Sequence, residues 1–79
     1  MENKMDTLED LVRIIRILRG ENGCPWDRVQ THASIRMDML EEAYEAADAI
    51  DKKDMKNLCE ELGDVLFQVA LHSVIAQEE

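Results

Sequence analysis

Turn-forming residues are scarce: proline occurs once and glycine three times in 79 residues. β-branched residues are few and scattered, and no stretch alternates apolar with polar positions. Strands are therefore not expected, and the chain is predicted to be all-helical. Cysteine is also sparse. Cys24 and Cys59 are too few for a disulfide framework, and neither lies in a Cys-x-x-Cys pair or at zinc-ligand spacing from a histidine. A reducing, cytoplasmic setting is the expectation. A secretory leader is not expected, because residues 1–6 are charged and run straight into an amphipathic segment. No apolar run approaches the ~20 residues that span a bilayer.

Basic residues are in the minority, 9 against 18 acidic, for a net charge of −9. That surplus disfavours a nucleic-acid backbone or an anionic membrane, so neither is expected as a partner. It still admits a nucleotide, because a bound cation reverses the local field. Repeats and low-complexity tracts are absent. The length allows one domain or a piece of one. A chain this short buries only ~60–65% of its unfolded surface. A metal or a second subunit is the expected support at that size.

What is present is helical periodicity. A first helix is predicted over 7–19, with Thr7 and Asp10 resembling a capping box. Leu8, Leu11, Val12, Ile15 and Leu18 make one apolar face, and Ile14 and Ile17 widen it enough to suggest contact on more than one side. Gly20 and Gly23 stop that helix. Residues 20–27 read as a loop from their Gly, Asn and Pro content. This loop carries the single tryptophan, Trp26, expected either to plug the core or to serve as a stacking platform for a base. A second helix begins at Thr31 or Ser34, both suitable N-caps, and continues to about residue 50. A polar connection, Asp51-Lys52-Lys53-Asp54, leads to a third helix capped by Asp54. So short a connection makes the last two helices antiparallel neighbours.

Those two helices carry the chemistry. On the second, Glu41, Glu42 and Glu45 fall within an arc of about 100°, while Leu40, Ala43, Ala47 and Ile50 are expected to pack into the core on the other side. On the third, Glu61 and Asp64 share a face. Gln68 and His72 continue the same line, and apolar residues cover most of the remaining circumference. A polar stripe on an otherwise apolar helix faces an interior or a cleft. His72 is expected to be a satisfied buried or interfacial histidine rather than a ligand. Two like charges at about 4 Å repel by roughly 4 kcal/mol at an effective dielectric of 20. Five converging carboxylates are therefore heavily destabilising without cations or protons, and carboxylate-only ligation suits a hard ion such as Mg2+ or Mn2+. A solvated acidic face is the competing explanation of either acidic motif taken alone.

The segments Gly23-Cys24-Pro25-Trp26-Asp27, Gln30-Thr31-His32, Leu40-Glu41-Glu42-Ala43-Tyr44-Glu45 and Glu60-Glu61-Leu62-Gly63-Asp64 together resemble the MazG-type nucleoside triphosphate pyrophosphohydrolases. The resemblance covers about residues 8–79, and the chain looks like the first domain of the tandem forms. It implies an all-α fold: an antiparallel hairpin or bundle of three main helices, completed into a four-helix-type bundle by a partner subunit. It implies Mg2+-dependent cleavage of a nucleoside triphosphate to monophosphate and pyrophosphate, in a homodimer or higher homo-oligomer. The family's metal ligands map onto Glu42, Glu45, Glu61 and Asp64. Glu41 is assigned to a second metal or to orienting the catalytic water. Trp26, Arg28 and Lys56 are the candidate substrate contacts. Relative to the resembled domain, the later helix that supplies further substrate contacts is missing from residues 1–79. An alternative is a catalytically weak dimerisation or regulatory module. A ferritin-like di-iron site would need Glu-x-x-His, where this chain has Glu61-x-x-Asp64. Specialised relatives acting on dUTP or phosphoribosyl-ATP are disfavoured by the Cys-Pro-Trp-Asp loop.

Overall fold

A computed structural model describes residues 8–79. They form four helices: α1 (Leu8–Leu18), α2 (Pro25–Arg28), α3 (His32–Asp51) and α4 (Met55–Gln77). The three long helices match the predicted ones closely. Thr7, the expected cap of α1, lies outside the described residues. None of the described helices is long and apolar enough to cross a membrane.

The stretch expected to be loop contains a helical turn. Pro25 occupies the first turn of α2 after an extended Cys24. Its fixed φ suits that position, and its missing N–H costs nothing there. The approach is tight: the Cys24 N–H donates to the Leu18 carbonyl at 2.7 Å. A Cβ at residue 23 would collide with the carbonyls of Ile17 and Leu18, so glycine is required.

Both candidate caps of α3 are used, as a reciprocal pair. Thr31 is the N-cap and accepts from the Ser34 N–H at 3.1 Å, while Ser34 Oγ accepts from the Thr31 N–H at 2.8 Å. At the other end the chain reverses through Lys53, at φ 58°. Its N–H donates to Ile50, and that of Asp54 to Ala49. Asp54 then caps α4 by accepting from the Asn57 N–H at 3.1 Å.

The α3–α4 hairpin is the larger packing unit, and α1 lies across α4. Ile15, Ile35, Ala70, Leu71, Val74 and Ile75 form the core, with Leu11, Val12 and Phe67 against it. One expectation is corrected. Leu40 and Ile50 are 46% and 55% exposed, and Ala43 and Ala47 are exposed too. The face of α3 turned to α4 is instead His32, Ile35, Met39, Glu42, Ala46 and Ala49, alternating steps of three and four. That 3.5-residue period keeps one line of an α-helix against a neighbour. Two small alanines let the backbones approach, and the glutamates ride in the seam rather than behind it. The outer face of α4 is also open, with Leu62, Leu66 and Val69 exposed.

Arg19 ties the ends together. It donates to the carbonyls of Asp27 and Gln30, both at 2.8 Å, and grips Glu78 through two nitrogens at 2.7 and 2.8 Å. Arg16 bonds to Gln77 beside it.

Candidate metal centre

Glu42 and Glu45 are three apart on α3, so they share a face, and α4 lays Glu61 against them. The three each offer a carboxylate oxygen, all within 4.8 Å of one another. Oε1 of Glu42 and Oε1 of Glu61 are buried and have no hydrogen-bond partner.

The electrostatics follow from that crowding. Glu42 titrates above the usual carboxylate range, first because of burial, then through the charges of Asp64 and Glu45, a hydrogen bond with Glu45 and the charge of Glu41. Glu61 is raised too, first by burial, then by a hydrogen bond with Glu45 and the charges of Glu45, Asp64 and Glu42. No basic side chain among the described residues contributes to either shift. Among the described residues, the ion pairs join Arg13 to Asp10, Arg19 to Glu78 and Lys52 to Asp48, all elsewhere.

Three carboxylates with two unpartnered buried oxygens and no counter-charge form a donor set for a hard divalent cation. The residues fit such an ion. It would satisfy the orphaned oxygens and remove the repulsion that raises both carboxyls.

The remaining predicted positions are distributed around this group. Asp64 is exposed and lies outside the three-carboxylate group, yet its charge reaches both Glu42 and Glu61. Glu41 is exposed on the neighbouring face of α3. With Met37, Leu40, Tyr44 and Glu45 it lines an open depression of about 500 Å³. Trp26 is 68% exposed on α2, so it does not plug the core. Arg28, also on α2, donates to the Glu21 carbonyl at 2.7 Å. Lys56 is exposed in the first turn of α4. The structure does not bring these last three to the carboxylates.

His72 is partly buried as expected but only half satisfied: its buried Nε2 has no hydrogen-bond partner, and the partner of its Nδ1 is His32, a residue with no role assigned from the sequence. Their Nδ1 atoms are 2.8 Å apart. The available signal was the antiparallel register: a hairpin that sets Glu42 against Glu61 also sets residue 32 against residue 72.

The sequence profile of the MazG nucleotide pyrophosphohydrolase domain matches residues 30–79, which include α3, α4 and every carboxylate of this group. The chain belongs to the MazG family. It is 51% identical over 70 residues to the nucleoside triphosphate pyrophosphohydrolase/pyrophosphatase MazG of Thermotoga maritima, covering 89% of this chain and 28% of that protein. Over 76 residues it is 50% identical to the nucleoside triphosphate pyrophosphohydrolase of Escherichia coli K12, covering 95% of this chain and 29% of that one. It is 58% identical over 66 residues to the uncharacterized protein YabN of Bacillus subtilis, covering 84% and 14%. The chain thus spans between 14% and 29% of the length of these relatives. No solved structure gives a significant match.

Proposed function

We propose that this chain forms the metal-binding helical core of a nucleoside triphosphate pyrophosphohydrolase, cleaving its substrate to a nucleoside monophosphate and pyrophosphate. The observation that carries this reading is the convergence of Glu42, Glu45 and Glu61 from two antiparallel helices within 4.8 Å, with two buried oxygens left unpartnered. The family match and the names of the relatives support the same chemistry.

In this reading Glu42, Glu45, Glu61 and Asp64 hold Mg2+, with Mn2+ as a substitute. Asp64 joins the other three from one turn along α4. When bound, the cation neutralises charge on the phosphate oxygens and on the leaving pyrophosphate. Glu41, exposed on the neighbouring face of α3, takes the role of orienting or deprotonating the attacking water in this reading. Trp26, with its exposed indole for base stacking, and Arg28 and Lys56, with positive charge for phosphate, stand away from the carboxylates within one chain, so in this reading they contact parts of the substrate distant from the cation. The exposed apolar residues beside the acidic group, Met37, Leu40 and Tyr44 on α3 and Leu62, Leu66 and Val69 on α4, suit burial by a second copy of the chain. That copy would complete a four-helix-type bundle.

The exposure of Asp64 outside the three-carboxylate group favours one other reading, a metal-binding but catalytically weak assembly module. Pyrophosphate release separates the two. With a panel of nucleoside triphosphates and Mg2+, the hydrolase reading expects release that Glu61→Gln abolishes. Mg2+ binding without release from any nucleotide supports the module. Unchanged Mg2+ binding in both Glu42→Gln and Glu61→Gln overturns the metal assignment.

A further inference from the structure

His32 and His72 meet across the open end of the α3–α4 hairpin. Their Nδ1 atoms are 2.8 Å apart, their ring planes differ by 4° and their centroids are 5.0 Å apart. That centroid separation is close to the nitrogen–nitrogen distance plus the two ring radii. The rings therefore lie end to end in nearly one plane, which is the geometry of an N–H···N hydrogen bond rather than a face-to-face stack. One Nδ1 carries the proton and the other accepts it. The contact is partly buried, and His72 Nε2 is closed off from solvent. Among the described residues, this is the one side-chain hydrogen bond joining α3 to α4 apart from contacts between carboxyls.

Its place in the hairpin gives it a consequence. His32 lies ten residues before Glu42, and His72 eleven after Glu61. Both are therefore about 15 Å along the helices from the carboxylates. The Lys52–Lys53 turn closes one end of the hairpin covalently. At the other end the helices are held by side chains: the apolar contacts of Ile35, Leu71 and Ile75, Arg19 bridging the Gln30 carbonyl just before α3 to Glu78 just after α4, and this hydrogen bond, which lies nearest the carboxylates among the polar ties. Between the two ends, Glu42 and Glu45 on α3 repel Glu61 on α4. Without a cation that repulsion acts to part the helices.

We infer that the His32–His72 hydrogen bond is a clamp that fixes the α3–α4 spacing at the carboxylate site, making both histidines positioning residues for cation binding. The inference rests on the metal-site reading above. The clamp holds the ligands at binding distance before the ion arrives, so the ion is not required to pull the helices together. By linkage, cation binding strengthens the clamp by the same factor.

The test has two measurements. In metal-free wild type, a nitrogen–nitrogen scalar coupling between the two Nδ1 atoms is expected, and its absence overturns the clamp. Calorimetry with Mn2+ then compares wild type, His72→Leu and His72→Gln. Leu removes the bond, while Gln keeps a side chain able to donate or accept. One hydrogen bond of ordinary strength corresponds to an affinity loss of about 3- to 10-fold in His72→Leu. His72→Gln is expected to recover most of it. Equal Mn2+ affinity in a folded His72→Leu and wild type overturns the clamp and leaves the metal site standing. Wild type that binds no Mn2+ overturns both. If His72→Leu does not fold, His32→Leu provides the same comparison, and the coupling in wild type decides independently.

Discussion

Glu42 and Glu61 face each other across the α3–α4 seam, each with one buried carboxylate oxygen lacking a partner. Both titrate above the ordinary range, burial being the first cause. A carboxyl whose folded pKa is raised binds more protons in the folded state. Its contribution to stability is fullest below the unfolded value of about 4.3 and declines as pH rises through the folded value. Glu78 acts with the opposite sign. Its hydrogen bond with Arg19 lowers its pKa, so its contribution is present above the unfolded value and is lost as pH falls. Comparing wild type with Glu61→Gln cancels the Glu78 effect. Metal-free Glu61→Gln is expected to melt a few degrees above wild type at about pH 8, with the gap closing toward about pH 4. Saturating Mg2+ should reverse the order, because only wild type keeps the full ligand set. Thermal melts at the two pH values decide it, and identical Tm values throughout would remove the repulsion from the account.

Arg19 is 8% exposed at its side chain, and a lysine cannot reproduce what it does. Its planar fork reaches two carbonyls and both Glu78 oxygens at once, whereas an ammonium is a point donor. Arg19→Lys is expected to cost about 1.5–3 kcal/mol, the range for hydrogen bonds to charged groups. Chemical denaturation measures the loss. Hydrogen exchange should show it first in α2 and the last turn of α4, the segments Arg19 holds.

Two backbone positions should respond in opposite directions. Lys53 sits at φ 58°, where a side chain is strained and glycine is not. Lys53→Gly is expected to stabilise by about 0.5–1 kcal/mol. Gly23→Ala should destabilise by more than that, because its Cβ meets the backbone carbonyls of Ile17 and Leu18, which cannot rotate away as a side chain can. Urea midpoints of the two variants should fall on either side of wild type.

These positions also show what was legible beforehand. The helices, the Asp54 cap and the antiparallel hairpin follow from local pattern: apolar spacing, N-cap chemistry and a short connection. The meeting of Glu42, Glu45 and Glu61 was legible in part: spacing puts the α3 glutamates on one arc and antiparallel pairing brings α4 beside them, but Glu41 and Asp64 were expected in the same group and lie outside it. The orientation of α3 was not legible. Leu40, Ala43, Ala47 and Ile50 are apolar, yet they are exposed, because α3 carries apolar residues on two sides and composition cannot say which one meets α4. The His32–His72 contact was hidden for a related reason. Its residues are 40 positions apart, and only the register of the whole hairpin joins them. The α2 turn was obscured by Pro25, which signals a loop and the start of a helix equally well.

Gln68 gives the last test. It is 8% exposed, and its buried Oε1 has no partner. It lies on α4 between Glu61, which meets α3 carboxylates, and His72, which meets His32. An unsatisfied buried acceptor costs about 1–3 kcal/mol, while an apolar group of the same shape does not carry that cost. Gln68→Met conserves length and flexibility, so it should raise stability by about 1 kcal/mol. It should leave Mn2+ affinity within twofold of wild type, since Gln68 is not among the assigned ligands. A loss of stability in Gln68→Met would instead show that Oε1 is satisfied in solution, by an ordered water in the seam. Melting the variant beside wild type separates the two outcomes.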